Sequence, residues 1–180
     1  MIYIILALVA VIALFMVKTY NSLVSQSEMV RNAMGQIAAN VESRWDALSN
    51  LIEATKQYSA HEADVLMDIT RSRSEIKSSD SVAEVNKDEA LFNQALGQLR
   101  VVVENYPDLK ASAVYQTTMT SVNDYENKVR MARQIFNDTV TKYNRILKVF
   151  PNNLVAGMFG FTEEEYFKNT AGKESMPGWN

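Results

Sequence analysis

From Met1 to Val17 the sequence MIYIILALVAVIALFMV carries no charged side chain, and the first charge is Lys18. As a helix this run reaches roughly 25 Å, a little less than the roughly 30 Å hydrocarbon layer of a bilayer, and Thr19 and Tyr20 can extend it into the interface. A helix apolar on every face, with Ile2, Ile5, Val9, Ile12, Phe15 and Val17 along it, needs a large protein to surround it, and the amphipathic remainder of this chain is too small for that. A cleaved signal peptide would show basic residues before the run and a small-x-small site after it. This run starts at once and ends in KTYNSLV, so a retained transmembrane anchor over residues 1–19 is predicted. No Lys or Arg precedes the run, whereas Lys18 and Arg31 follow it, which points the N-terminus outward and the folded part into the cytoplasm.

After Val30 the rhythm changes to steps of three and four. Met34, Ile37, Val41, Trp45, Leu48 and Ile52 form one helical stripe, and Val65, Leu66 and Ile69 continue it as far as the Ser-rich SRSEIKSSDS, which suits a loop. Ser81 with Glu84 fits a capping box that opens a helix with Phe92, Ala95, Leu99, Val102 and Tyr106 on its face, ended by Pro107. Asp108 suits the N-cap of a long last helix whose stripe runs through Tyr115, Val122, Tyr125, Val129, Ala132, Phe136, Val140, Tyr143, Leu147 and Phe150 until Pro151. No strand pattern occurs. The chain thus reads as all-α: an anchor, an antiparallel bundle of long helices over 20–150, and an apolar segment and tail over 151–180. As one rod, residues 20–77 would reach roughly 87 Å against roughly 35 Å for the helix that follows. A bend between Arg44 and Asn50, giving four helices, is therefore favoured over three.

Composition narrows the function classes. The 18 Lys and Arg against 21 Asp and Glu give a net charge of -3, without the basic excess of a nucleic-acid-binding surface. The absence of cysteine removes thiol nucleophiles, disulfides and thiolate metal sites. A zinc-protease motif around His61 would need a second histidine at position 65, where Val65 stands. Glu62 with Asp64, and Glu163 to Glu165, sit in polar runs that read as solvated faces. GMFGF contains no phosphate-loop lysine. These observations predict no catalytic residue, no metal and no cofactor.

Arg44 and Arg133 lie beside the core stripes, where a guanidinium can bridge helices to Glu42, Asp46 or Glu126. An aromatic residue followed by Asn occurs at Tyr20-Asn21, Phe136-Asn137 and Tyr143-Asn144. The rings of the last two pairs fall on the stripe of the last helix and the amides at its edge, so Asn21, Asn137 and Asn144 are expected to make interhelical polar contacts, Asn21 opposite Asn144. The segment FPNNLVAGMFGFTEEEYF offers more apolar surface than a tail usually exposes; Leu154, Met158, Phe159 and Phe161 are candidates for a membrane or partner interface, or for a cap on the bundle.

In order along the chain, YNSLV, SRWDALSNLIEATKQYSAHE, LRVVVENYPDLKAS and ENKVRMARQIFNDTVTKYNRILKVFPNNLVAGMFGFTEEEYF resemble segments of the LemA family of bacterial membrane proteins. The resemblance runs from Tyr20 to Phe167. It implies one N-terminal transmembrane helix in the bacterial cytoplasmic membrane, an antiparallel helical bundle, and no established enzymatic activity. Family members commonly carry a proline in the segment matching DALSNL, where this chain has Ser49. The expected function is a membrane-anchored scaffold or interaction module, in contact with the lipid bilayer and with copies of itself or a membrane protein partner, and not with nucleic acid. An adaptor for a membrane protease or envelope-remodelling complex is the first alternative, and a ligand-binding or enzymatic bundle the second.

Overall fold

In a computed structural model of the chain the described residues are 1–58, 60–71, 73 and 75–168, without the side chains of 60–63. Among them the only regular structure is helical: α1 (Ile2–Thr55), α2 (Ala60–Arg71), α3 (Val82–Asn105), α4 (Pro107–Ala111), α5 (Ala113–Lys148) and α6 (Asn152–Phe159). The first helix is 54 residues long and joins the apolar run to the core stripe without a break. Side chains 2–14 are exposed, and continuous burial of the stripe starts beyond them, with Thr19, Leu23, Val30, Met34, Ile37, Val41, Trp45, Leu48 and Ile52 all buried.

The expected bend between Arg44 and Asn50 is absent. Arg44, Trp45, Ala47 and Leu48 are buried inside an uninterrupted helix, and no proline or glycine interrupts them. The chain turns after Thr55 instead. The buried Thr55 hydroxyl donates to the Ile52 carbonyl at 2.6 Å, and the N–H groups of Lys56 and Tyr58 donate to the carbonyls of Glu53 and Thr55. This three-residue pattern tightens the last turn and lets the chain leave the helix without a proline. Because the break restarts the register, the stripe cannot cross it: α2 buries Leu66 and Thr70, while Val65 is exposed.

Residue numbers rise along α1 as they fall along α5. Thr19 meets Asn152 just past the end of α5, and Arg44 meets Glu126 in its first half, so the two long helices are antiparallel. The loop after α2 returns beside α1, placing Arg73 3.7 Å from Asp46. From there α3 runs parallel to α1, with Asp88 and Glu89 at the level of Arg44. The second half of α1 shares one apolar core with Leu66 of α2, Val85, Phe92, Ala95, Leu99 and Val103 of α3, and Val122, Val129, Phe136 and Val140 of α5.

The capping box at the start of α3 is present: the Glu84 N–H donates to Ser81 Oγ at 3.3 Å, and the Ser81 N–H to Glu84 Oε2 at 2.7 Å. Pro107 ends α3 but opens α4, at a first position where its missing N–H has no helical partner to lose. The last long helix therefore starts later than Asp108 suggests. Its cap is Ser112, whose Oγ accepts from the Tyr115 N–H at 3.2 Å. Phe150, expected on the stripe, is exposed because α5 has already ended at Lys148.

Candidate functional site

The half of the bundle farthest from Met1 contains a buried group of charges. Arg44 is fully buried; its Nη1 reaches Glu126 at 2.8 Å and Glu89 at 3.0 Å, and its Nη2 reaches Asp88 at 3.4 Å. Arg133 Nη2 reaches the same Glu89 oxygen at 3.0 Å. The Trp45 indole N–H donates to both Asp88 oxygens, at 2.9 and 3.1 Å. Phe92 lies under the Arg44 guanidinium, 3.9 Å from ring centroid to Cζ, and edge-on to Trp45. One cation on α1 is thus tied to carboxylates on α3 and α5. Charges this deep need partners, and removing one partner of such a pair typically costs about 3–5 kcal/mol. Burial pushes the Asp88 carboxyl above its ordinary value, although the Trp45 hydrogen bond and the Arg44 charge pull it back. Burial also lowers Arg133, with Glu89 opposing. Among the described residues the Nε atoms of Arg44 and Arg133 have no hydrogen-bond partner. The ion pairs and the Trp45 hydrogen bonds join α1 to α3 and α5, an arrangement that fastens three helices in register.

Two turns of α5 hold the chain beyond α6. Asn144 donates from Nδ2 to the Glu164 carbonyl at 2.9 Å and accepts the Glu164 N–H at 3.0 Å. Asn137 repeats the pattern on Phe167, donating to its carbonyl and accepting its N–H, both at 2.9 Å. Each primary amide satisfies a backbone donor and acceptor as a neighbouring strand would, so the extended segment 161–168 is strapped along α5. Phe167 is buried edge-on against Phe136, with Arg133 over its ring. Lys148 is raised by its hydrogen bond to Glu163, at 2.7 Å. The expected contact of Asn144 with Asn21 is replaced by this strap: Asn21 is exposed, and α1 meets the far end of α5 through its neighbours. Thr19 Oγ1 donates to Asn152 Oδ1 at 3.5 Å, and the Tyr20 ring packs on Phe159 and Phe161 at 4.8 and 5.8 Å between centroids. In the C-terminal apolar segment Val155, Ala156 and Phe167 are buried and Phe161 half-buried, while Leu154, Met158 and Phe159 are exposed. The segment both caps the bundle and leaves an apolar face open.

The strap, α1 and the start of α3 border an open cleft of about 290 Å³, lined by Met34, Ser81, Val82, Phe136 and Glu163 to Glu165. Among the described residues no group of three His, Asp or Glu side chains is placed to hold a metal ion. The His61 and Glu62 side chains lie outside the described residues.

The bundle, the strap and the chain beyond it, residues 33–178, match the LemA family model. The chain belongs to the LemA family. Magnetosome protein MamQ 2 of Paramagnetospirillum magneticum is 25% identical over 190 aligned positions, covering 91% of this chain and 70% of that protein. Protein LemA of Metamycoplasma hominis is 27% identical over 140 positions, 76% of this chain and 63% of the relative. A MamQ of Magnetospirillum gryphiswaldense is 36% identical over 76 positions, 42% of this chain and 28% of its own. The LemA match begins inside α1, beyond the apolar run, so membership does not depend on a hydrophobic stretch that unrelated anchors share. In this LemA-family bundle Arg44 bonds to Glu126, as the sequence allowed, but not to Glu42 or Asp46; Asp88 and Glu89 are the partners that sequence reasoning missed. A signal existed for one of them. Asp88 interrupts the spacing Val85, Phe92, Ala95, Leu99 at a stripe position, where a carboxylate needs a buried partner.

Proposed function

We propose that this protein is a membrane-anchored helical scaffold that holds its bundle against the bilayer and associates with copies of itself or with another membrane protein, without a reaction of its own. The carrying observation is α1, one 54-residue helix whose first part is apolar and exposed and whose second half is bundle core. Such a helix makes anchor and bundle a single rigid element. The buried Arg44 and Asp88 and the partly buried Glu89, Glu126 and Arg133 engage one another, which supports a structural use. The relatives named as magnetosome proteins are named for a cellular structure and not for a reaction. Met131 and Ile135, a turn apart on the outer face of α5, are exposed apolar side chains open to a second copy. In this reading the anchor sits in the bacterial cytoplasmic membrane, and Lys18 and Arg31, which follow the apolar run while no Lys or Arg precedes it, support a bundle on the cytoplasmic side.

Cross-linking of the full chain in native membranes tests this reading. Adducts between copies, or one recurrent adduct with a membrane protein, are expected, the latter favouring an adaptor role; recovery of the unlinked chain alone would overturn it. For orientation, a reporter active only in the cytoplasm, fused after Asn180, should be active, and activity of an outside-only reporter instead would reverse the assignment.

A further inference from the structure

We propose that α6 lies flat in the membrane surface, with Phe150, Leu154 and Met158 inserted between lipid headgroups and the first acyl carbons. The proposal rests on the reading that residues 2–17 span the bilayer and adds a second, peripheral attachment. Height comes first. Thr19 and Tyr20, which hold Asn152 and Phe159, stand only about 3–5 Å along α1 beyond Val17, the last residue of the apolar run. This level is the interface. Direction follows from the same contacts: Asn152 and Phe159 are separated by roughly 10 Å along α6, yet they meet consecutive residues of α1 that differ in height by about 1.5 Å. The short helix therefore crosses the long one steeply and runs along the surface when α1 stands upright in the membrane.

The exposed face is suited to lipid. Val155 and Ala156 are buried toward the bundle, while Leu154 and Met158, one turn apart on the opposite side, are 58% and 70% exposed, and Phe150 just before the helix is 76% exposed. No residue of NNLVAGMF is charged. The bundle lies on the other side: α5 arrives at α6 from it, and the strap leaves α6 back toward Asn144 and Asn137. The turning point between them presents its free face away from the bundle, along the direction in which the anchor leaves. Continuity with the anchor thus names the occupant as the bilayer, and an uncharged face inserts through its apolar side chains without needing anionic lipid.

The chain contains no cysteine, so single labels can be placed in the full protein reconstituted into phosphatidylcholine vesicles. An environment-sensitive fluorophore would be attached to Leu154→Cys, Met158→Cys, Ile12→Cys in the anchor and Met131→Cys on the exposed face of α5. Nitroxide on a shallow acyl carbon of the lipid should quench Leu154→Cys and Met158→Cys, as lipid nitroxide quenches Ile12→Cys, and aqueous iodide should reach them several-fold less than Met131→Cys. Ile12→Cys quenched with both α6 labels behaving like Met131→Cys would overturn the proposal and leave the anchor standing. An unquenched Ile12→Cys would remove the anchor reading, and the proposal with it. Quenching of the α6 labels only when phosphatidylglycerol is added would also overturn apolar insertion, in favour of attachment through Lys18 and Lys148.

Discussion

Glu84 and Asp88 stand one turn apart on α3, and their environments push them in opposite directions. Glu84 is lowered from 4.5, first by the backbone N–H of Ser81 and then by its hydroxyl. Its contribution is present above the unfolded value and is lost as pH falls through the lowered one. Asp88 is raised from 3.8 by burial, against the Trp45 hydrogen bond and the Arg44 charge. The folded protein holds that proton more tightly than the unfolded chain, so ionising Asp88 costs stability as pH rises above about 3.8. Asp88→Asn keeps an oxygen for the Trp45 N–H and removes the charge. Compared by denaturant unfolding, this variant should gain on the wild type as pH rises from acid to neutral, whatever offset it has from losing the Arg44 contact. A variant that instead loses ground with rising pH would mean that Arg44 and Trp45 outweigh burial.

Elements were legible in the sequence where their causes are local and written in hydrophobic spacing, a proline or a capping box. The capping box of α3, the stop before Pro107 and the stripes through Ile52 and Leu147 each depend on residues three or four apart, and the helices follow them. The turn after Thr55 was not legible, because a buried threonine hydroxyl on a carbonyl leaves no mark in hydrophobic spacing. Nor was the strap. Asn137 and Asn144 were recognisable as amides at the edge of a core stripe, but their partners at Phe167 and Glu164 are chosen by the return of the chain past α6. Losing such a pair of hydrogen bonds should cost the strap roughly 1–3 kcal/mol. In Asn144→Ala, chymotrypsin cleavage at Tyr166 and Phe167 should accelerate on the order of tenfold where local opening controls the rate. Asn144→Asp, which can still accept from the Glu164 N–H but cannot donate to its carbonyl, should fall between. Unchanged cleavage in both would show that Phe161 and Phe167, and not the amides, hold the strap.

At the scale of the whole molecule, the apolar run and the all-helical class were readable from composition and period, whereas the rigid union of anchor and bundle in α1 appears only when the helix is followed past Lys18 without a break. That union separates attachment from folding. Side chains 2–14 are exposed, and the buried core of α1 starts at Leu23, so the anchor contributes position and almost none of the core. The C-terminal segment differs: Phe167 covers Phe136, Phe159 and Phe161 pack on Tyr20, and the strap backbone satisfies the amides of Asn137 and Asn144. Removing residues 1–18 should therefore abolish membrane spanning, leaving at most the weak, reversible surface contact of α6, while changing unfolding free energy by no more than roughly 0.5 kcal/mol, the range of surface changes that touch no core contact. Removing everything after Pro151 from that soluble form should lower its stability by several times as much, since three aromatic pairs are lost and two amides lose their backbone partners. The comparison is made by denaturant unfolding of the two soluble forms followed by far-ultraviolet circular dichroism. Equal midpoints would show that the strap only rests on a bundle complete without it, whereas collapse of the 19–180 form would show that the anchor holds the helices together.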